Sequence, residues 1–546
     1  MKTYLLYPDR EWLNAKPYFD EKSILQDLGL RILYMMSARE VIMEGENVKE
    51  IGKPDLFIEE TMRKLMLVPL ETEEEILYRQ EVLRDCLENP QFIIRLYDLC
   101  CLILKGWDDL GRKAKEKVGN RDPFSVLVTD IHLLQLFVKG LGLMKDLFHE
   151  YEDKLQSKGF AGLKSRLEEL FSDKMQADLQ QMLEDISFYA ERMEVDKDTG
   201  LRMVIQSHLV MECTLGDGLK FNGFRLEEVG SQEKRVRGAN NPVRIMQEFL
   251  QSKTPDSVVV QKDTIMQEYA DQLEFGVVRH VMNHCLAFMD RFKPFFDQLH
   301  LQTAFYRGAV NLVDHMKRFE LGYCYPKVSA QGTLRFKELK EVVMAMEQRV
   351  DAVGNTCDME DMMLLIVTGA NQGGKSTFLR SIGIAQVLMQ CGLMVTAESF
   401  ESGIFPSLFT HFTRREDSAM NSGRLDEELG RMNQIVENLG ERSLVLLNES
   451  FATTTEKEGS VIAYDIIKAL NEAGVKVLTV THLLSFAQKM YDEKKEGQGV
   501  EFFSAERLEN GKRTFKMIQH APELTSFGLD LYEKIVGAGK DIRKLG

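Results

Sequence analysis

The chain has 546 residues, 44% hydrophobic and 28% charged, with a formal net charge of −16, a composition that excludes a disordered chain and fits a folded protein of several domains. No run of about 18 uncharged apolar residues occurs, and the start MKTYLLYPDREWLNAK lacks an apolar core, so neither a membrane segment nor a signal peptide is expected and the protein is placed in the cytoplasm. Eight scattered cysteines without a CxxC exclude a zinc or disulfide framework, and the acidity excludes indiscriminate coating of nucleic acid while leaving room for a local basic surface.

Residues 1–60 form an N-terminal segment, and residues 61–350 are mainly helical in pattern. In GLKSRLEELFSDKMQADLQQMLEDISFYAERME, the apolar residues Leu163, Leu167, Leu170, Met175, Leu179, Met182 and Ile186 recur at three- and four-residue steps, which predicts a long amphipathic helix with a coiled-coil-like seam. A second such pattern begins at Asp263 and reads as the antiparallel return helix. Between the two, MVIQSHLVMECTLGDGLKFNGFRLEEV reads as strands separated by Gly-Asp-Gly and Asn-Gly turns, a small β tip on a helical stalk. Just past it, Lys234, Arg235 and Arg237 make either a solvated basic loop or, more sharply, a phosphate contact.

Over residues 351–546 the period changes. The runs MMLLIVT, RSLVLLNE and VKVLTVTH read as buried strands, alternating with helices from about Lys375 to Gln390 and from about Gly459 to Asn471. That alternation predicts a mostly parallel sheet with crossover helices. Near the end, FFSAERLENGKRTFKMIQH carries Asn510-Gly511 between two strand-like runs and reads as a hairpin.

The chemistry concentrates here. GANQGGKS, from Gly369 to Ser376, fits G-x-x-x-x-G-K-[ST] between a strand and a helix. In such a loop Gly369, Asn371, Gly373, Gly374 and Thr377 wrap phosphates with backbone N–H groups, Lys375 reaches the β/γ oxygens and Ser376 ligates magnesium. The segment Asn421 to Arg424 precedes a helix, where Ser422, Gly423 and Arg424 form either an ordinary cap or a phosphate-facing N-terminus. SLVLLNE is read as lying beside the P-loop strand and delivers Asn448 and Glu449, the latter as a base, a water-orienting residue or a structural carboxylate. VLTVTH places His482 at the end of a further strand, suited to sensing a γ-phosphate or to a structural role.

Taken in order, TGANQGGKSTFLRSIG, FTRREDSAMNSGR, SLVLLNESFATTT with Glu458-Gly459, VLTVTH and TSFGLDLYEKIVG resemble the ATPase domain of MutS-type DNA mismatch repair proteins. Upstream, PLETEEEILYRQEVLRDCLENP and FFDQLHLQTAFYRGAVNLVDH resemble that family's core and lever helices. The resemblance implies a multidomain α plus α/β fold: a helical core, long antiparallel levers over about 155–295 with a clamp tip over about 203–260, and a C-terminal ABC-type P-loop ATPase domain. It implies ATP and Mg2+ as ligands, with Ser376 and Asn448 at the metal. Glu449 becomes the catalytic carboxylate, His482 the switch, and Ser422 to Arg424 a signature that acts on the partner subunit of a homodimer. DNA, duplex or branched, is the implied partner, with no membrane and with other repair proteins as further partners.

Three departures shape the expectation. Asn448 stands where the family has Asp, Ser450-Phe451-Ala452 replaces a Gly-rich loop, and Leu425 occupies the second hydroxyl position of the signature. Neutral hydrogen bonds are roughly half as strong as charged ones, so ATP binding with slow hydrolysis is expected. Mismatch readers of the family insert a Phe from a Phe-x-Glu element on a separate N-terminal domain; here the core-like segment begins near residue 60. Phe19-Asp20-Glu21 is therefore read as a coincidence of letters, with the ring packing on the core, and nothing after Gly537 reads as a nuclease module. Asn355 matches the family's Asn before the P-loop strand, while Val353 stands where an aromatic ring would stack on a base. The competing reading, favoured by the acidity, is a nucleotide-dependent protein-interaction switch for which DNA is irrelevant.

Overall fold

The structure is a computed structural model and describes residues 5–9, 16–44, 47–51, 53–116, 123–170, 192–196, 200–204, 208–215, 221–230, 292–370, 372–414, 423–495, 497–508 and 513–522. The chain divides into two compact units, one of Asp98–Glu150 with Lys164–Gln298, the other of Lys2–Tyr97 with Tyr151–Leu163 and Leu299–Gly546. In chain order come α1 (Glu21–Asp27), α2 (Arg31–Ser37), the hairpin β1 (Glu40–Glu44) with β2 (Asn47–Ile51), then α3 (Leu56–Met66), α4 (Glu73–Glu88), α5 (Pro90–Glu116), α6 (Pro123–Glu150) and α7 (Lys158–Leu170). Two antiparallel hairpins follow, β3 (Arg192–Asp196) with β4 (Gly200–Val204) and β5 (His208–Leu215) with β6 (Phe221–Gly230). A further helix, α8, runs over 292–318.

The first unit is built on aromatic packing. Phe137 on α6 lies 4.9 Å from Phe292 and 5.3 Å from Phe296, ring centre to ring centre, and all three are buried. Of the long apolar stripe, α7 carries Leu163, Leu167 and Leu170, while Met175 to Ile186, the return helix up to residue 291 and the Lys234, Arg235, Arg237 triplet lie outside the described residues. The tip is indeed strand-forming, but Asn222-Gly223 sits inside β6 rather than in a turn. The pairing shifts register between Glu212 and Thr214, so the extra residue is absorbed there as a bulge.

In the second unit, chain order continues with β7 (Lys327–Val328), β8 (Leu334–Leu339), α9 (Val342–Gln348), β9 (Asn355–Met359), β10 (Leu364–Thr368), α10 (Lys375–Gln390), β11 (Ser399–Ser402), β12 (Ser407–Phe412), α11 (Arg424–Glu437), β13 (Ser443–Asn448), α12 (Glu456–Glu472), β14 (Lys476–Val480), α13 (Leu484–Asp492), β15 (Val500–Arg507) and β16 (Arg513–Gln519). Six strands pair in the order β12-β13-β14-β10-β15-β16, the first five parallel and β16 antiparallel to β15. A four-stranded sheet, β7-β11-β8-β9, accompanies it.

The parallel strands read as unbroken apolar runs because helices cover both faces: every residue of β10 is buried, and Ser443 to Leu447 of β13 are too. α10 buries a broad stripe from Phe378 to Gln390. α12 starts with Thr455, whose hydroxyl accepts from Glu458 N while Glu458 Oε2 accepts from the Thr455 hydroxyl, a local pairing that fixes where the strand-to-helix connection ends. The sequence reading placed β13 beside β10; in the sheet, β14 lies between them, so the segment ending in Glu449 is one strand further from the P-loop strand than expected. The Phe19 ring, expected on the core, meets the buried Phe409 ring at 6.4 Å centre to centre yet is 62% exposed, and Asp20 caps α1 by accepting from Ser23 N at 3.0 Å.

The pairing of β10 with β15 is started by Gly499, whose carbonyl accepts from Met363 N and Leu364 N. Its φ is +65°, and a Cβ there would stand 1.7 Å from the Asp361 carbonyl oxygen. Gly499→Ala is expected to lower the unfolding free energy by roughly 1–3 kcal/mol, through strain in the left-handed region plus the backbone clash, read as a shift in the urea midpoint at unchanged m-value.

Candidate active site

The turn from β10 into α10 is shaped by glycine where nothing else fits. Gly369 has φ +105° and Gly374, which caps α10, has φ +92°. A Cβ on Gly373 would lie 2.7 Å from the Ala505 Cβ and 3.0 Å from the Ala370 carbonyl oxygen. The loop therefore wraps tightly over its own first residue, leaving the N-terminus of α10 open as an anion cradle. Lys375 is buried and folds back over the loop, donating to Gly369 O at 2.8 Å and Ala370 O at 3.0 Å. Ser376 Oγ donates to Asn448 Oδ1 at 2.8 Å. Asn371 and Ser422 lie outside the described residues, and Gly423 caps α11, whose first residue is Arg424.

Strand β13 ends at Asn448, and the chain turns sharply: Glu449 and Phe451 have φ of +56° and +65°. Those left-handed non-glycine residues cost of order 1–3 kcal/mol each, offset by a dense set of ties. Glu449 N donates to Val480 O at 2.8 Å, and the Thr413 hydroxyl donates to the carbonyls of Asn448 and Glu449 at 3.2 and 2.8 Å. The side chain of Glu449 accepts from His482 Nε2 at 2.9 Å. That hydrogen bond, with burial opposing it and the Lys375 charge assisting, holds the Glu449 carboxyl below the usual carboxylate range. Glu449 is thus ionised at neutral pH and aimed by a histidine.

These groups open onto one cavity of about 530 Å³. Gln372 to Phe378 line its floor, Glu449 and His482 one side, and Leu339, Glu341, Met344 and Val350 to Val353 the far end. Phe515 of β16 closes the remaining wall; it is half exposed, with φ +61°. The sequence reading looked for an aromatic ring at Val353 and missed this one. The only available signal was the hairpin itself, whose pairing with β10 through β15 brings β16 over the loop. Arg513 Nη1 donating to Gln372 Oε1 at 3.1 Å and Met517 N donating to Asn355 Oδ1 at 2.7 Å fix the hairpin there. Glu341 is buried at the far end, raised in pKa by desolvation, and accepts from Arg380 Nε at 3.0 Å.

Behind the cavity, α11 is tied to the turn after β13. His411 Nε2 donates to the Glu428 carbonyl at 3.1 Å, its Nδ1 accepts from Ser450 Oγ at 2.7 Å, and Glu428 Oε2 accepts from Phe451 N and the Thr453 hydroxyl. Residue 423 onward thus shares a rigid connection with Glu449, one that no sequence motif announced.

Residues 71–319 match the family model described as the MutS2 N-terminal domain, and residues 365–542 match MutS domain V. The chain belongs to the MutS family. It is 28% identical over 247 residues to the Endonuclease MutS2 of Carboxydothermus hydrogenoformans, covering 43% of this chain and 31% of that protein. Over 166 residues it is 30% identical to the DNA mismatch repair protein MutS of Lactobacillus delbrueckii subsp. bulgaricus, covering 30% of this chain and 19% of that one. Its match to the Bacillus velezensis Endonuclease MutS2 is 26% identical over 223 residues, 28% of that protein. The chain thus aligns with less than a third of the length of each of these relatives. The cavity described above lies within the part that matches MutS domain V, apart from the residues numbered below 365.

Burial pushes the His411 imidazole down to about 4, so it stays neutral in the fold while an unfolded chain takes a proton near the ordinary value of about 6.5. Because the folded value is the lower one, its contribution to stability is complete above pH 6.5 and is lost progressively as pH falls toward 4. His411→Gln is expected to flatten the fall in urea stability between pH 7 and pH 4.5; an unchanged slope would remove His411 as its source.

Proposed function

We propose that this chain is an ATP-dependent DNA-binding protein of repair or recombination. The observation that carries the reading is that β10, β14 and β13, adjacent in that order, deliver the P-loop, His482 and Glu449 to one cavity at the carboxyl ends of a parallel sheet, where open α/β folds bind their ligands, with Asn448 hydrogen-bonded to Ser376 of its lining. In this reading the backbone of Gly369, Asn371, Gly373, Gly374 and Thr377 cradles the phosphates. Lys375 exchanges its two loop carbonyls for phosphate oxygens, and the base lies along Phe515 and Val353.

The Ser376 hydroxyl and the Asn448 amide oxygen are hard oxygen donors 2.8 Å apart, a set that suits Mg2+ with several of its waters retained. Ser376 and Asn448 would hold the ion, which would supply neutralisation of phosphate charge. Glu449, ionised and oriented by His482, accepts hydrogen bonds from the attacking water and takes its proton as the water oxygen bonds to the γ-phosphorus, while the bond from that phosphorus to the bridging oxygen breaks and its electron pair leaves with ADP. The Ser422–Arg424 signature of one subunit would complete the site of a partner in an ABC-type homodimer in the cytoplasm. Lever helices over about 155–295, tipped by the strands near 203–260, would then close on duplex or branched DNA as the nucleotide state changes.

Asn448 gives the reaction a neutral metal-side partner. Asn448→Asp is expected to raise ATP turnover at saturating magnesium by about tenfold, worth roughly 1.4 kcal/mol of barrier, while Glu449→Gln abolishes turnover and keeps nucleotide binding. Steady-state phosphate release measures the first and equilibrium binding of a fluorescent nucleotide the second; no gain from Asn448→Asp would refute the metal account.

For the DNA side, equilibrium competition among homoduplex, single-mismatch duplex and a four-way junction at fixed salt, with ADP and with a non-hydrolysable ATP analogue, is expected to show nucleotide-modulated binding without mismatch preference. Charge reversal at Lys234, Arg235 and Arg237 should weaken binding and flatten its salt dependence. Absence of binding to all three DNAs would transfer the proposal to a nucleotide-driven protein-interaction switch, which the net charge of −16 favours.

A further inference from the structure

A second cavity, about 320 Å³, opens elsewhere in the same unit, between α1, the end of β12 and α11. Its walls carry Lys22, Ser23, Thr410, Arg414 and Arg431, with Asp20 and the exposed Phe19 ring at α1. The arginines are incompletely used. Arg431 Nη1 donates to Phe412 O at 3.1 Å, yet its Nη2 is buried without a hydrogen-bond partner. Arg414 Nη2 donates to Ser23 Oγ at 2.9 Å, and its Nε is likewise buried and unpartnered.

Nearby carboxylates do not meet this demand. Asp20 has one oxygen committed to the amide of Ser23, and Asp27, which sits close enough to feel both guanidinium charges, is held above the usual carboxylate range by its burial. Among the described residues neither aspartate forms an ion pair with either arginine. Buried charged N–H groups left without an acceptor cost more than neutral ones. The two side chains line the cavity while these N–H groups are turned away from it, so a small rotation of either guanidinium presents them to an oxyanion there.

We propose that this cavity binds a phosphate group through Arg414 and Arg431, a second ligand site distinct from the P-loop cavity. A carboxylate brings two oxygens, whereas the wall presents two guanidinium groups, an ammonium and two hydroxyls against the single carboxylate of Asp20. The three terminal oxygens and near-double charge of a phosphate monoester match that set, and arginine forks fit its geometry. Bare phosphate fills only part of the space, and the Phe19 face at the rim offers a base a stacking surface. Free phosphate and a nucleoside monophosphate share the anchoring chemistry and differ in their use of Phe19. Either ligand would clamp α1 to β12 and α11, the elements on both sides of the Ser422–Arg424 segment.

Calorimetric titration of the full chain carrying Lys375→Ala, which weakens the P-loop cavity as a phosphate site, separates the two sites. Inorganic phosphate and AMP are titrated against matched chloride. Phosphate is expected to bind this protein, and adding Arg431→Gln or Arg414→Gln to weaken it at least tenfold. Tighter binding of AMP than of phosphate, with the gain lost in Phe19→Ala, assigns the ligand as a nucleotide; equal affinities that ignore Phe19→Ala assign free phosphate. If Arg431→Gln fails to fold, by circular dichroism, the partly exposed Arg414→Gln alone decides. No phosphate binding in the Lys375→Ala protein, or binding indifferent to the arginine changes, overturns the proposal. Neither result bears on the P-loop reading, which fails instead if nucleotide affinity ignores Lys375→Ala in the absence of other changes.

Discussion

The parallel register of β10, β14 and β13 is the constraint from which the site follows. Val367 pairs with Val480, and Val480 with Asn448, so the three strands run out at nearly one level and each chain segment leaves the sheet within two residues of it. What leaves is the glycine loop, His482 and Glu449. Because both faces of the sheet are covered by apolar packing, the strands cannot slip by one residue without turning buried valines and leucines out of the core. Register, fixed by hydrophobic burial, is therefore also what sets the distance between Ser376 and Asn448 and between His482 and Glu449.

A second layer of organisation lies in how strain is held. Glu449 and Phe451 adopt backbone conformations that glycine would take freely, in a turn where the related proteins were expected to have glycine. Here the turn is instead clamped from outside: Phe451 is buried in the core, its amide donates to Glu428, and the Ser450 hydroxyl meets His411. A clamped turn of bulky residues holds Glu449 in one orientation, whereas a glycine loop would allow several. The same clamp ties α11 to the end of β13 rather than leaving it an independent element.

Much of this was legible in the sequence. The strand-to-helix period change near residue 355, the P-loop spacing and the abrupt end of SLVLLNE identified the strands, α10 and the delivered residues, because each depends on local spacing alone. Strand order was not legible: β14 comes between β13 and β10 through crossovers whose paths are set by tertiary packing. Phe515 was missed for a related reason, since its place depends on which face of a hairpin folds over a loop about 140 residues earlier. Arg431 carries no motif, and Arg414 lies in FTRREDSAMNSGR, a stretch that carries the resemblance without giving this side chain a role; its partner Ser23 on α1 is nearly 400 residues away.

Replacement of a carboxylate by an amide at residue 448 also changes what happens before any metal arrives. An aspartate beside the Ser376 hydroxyl would stand close to incoming phosphate oxygens and repel them until a divalent cation came between, an interaction of a few kcal/mol at about 4 Å and an effective dielectric near 20. The neutral amide imposes no such repulsion. Under the proposed reading, the loss of grip on the ion and the relief of metal-free nucleotide would arise from the same side chain, and nucleotide occupancy would be less tightly bound to magnesium supply than a charged pair would make it.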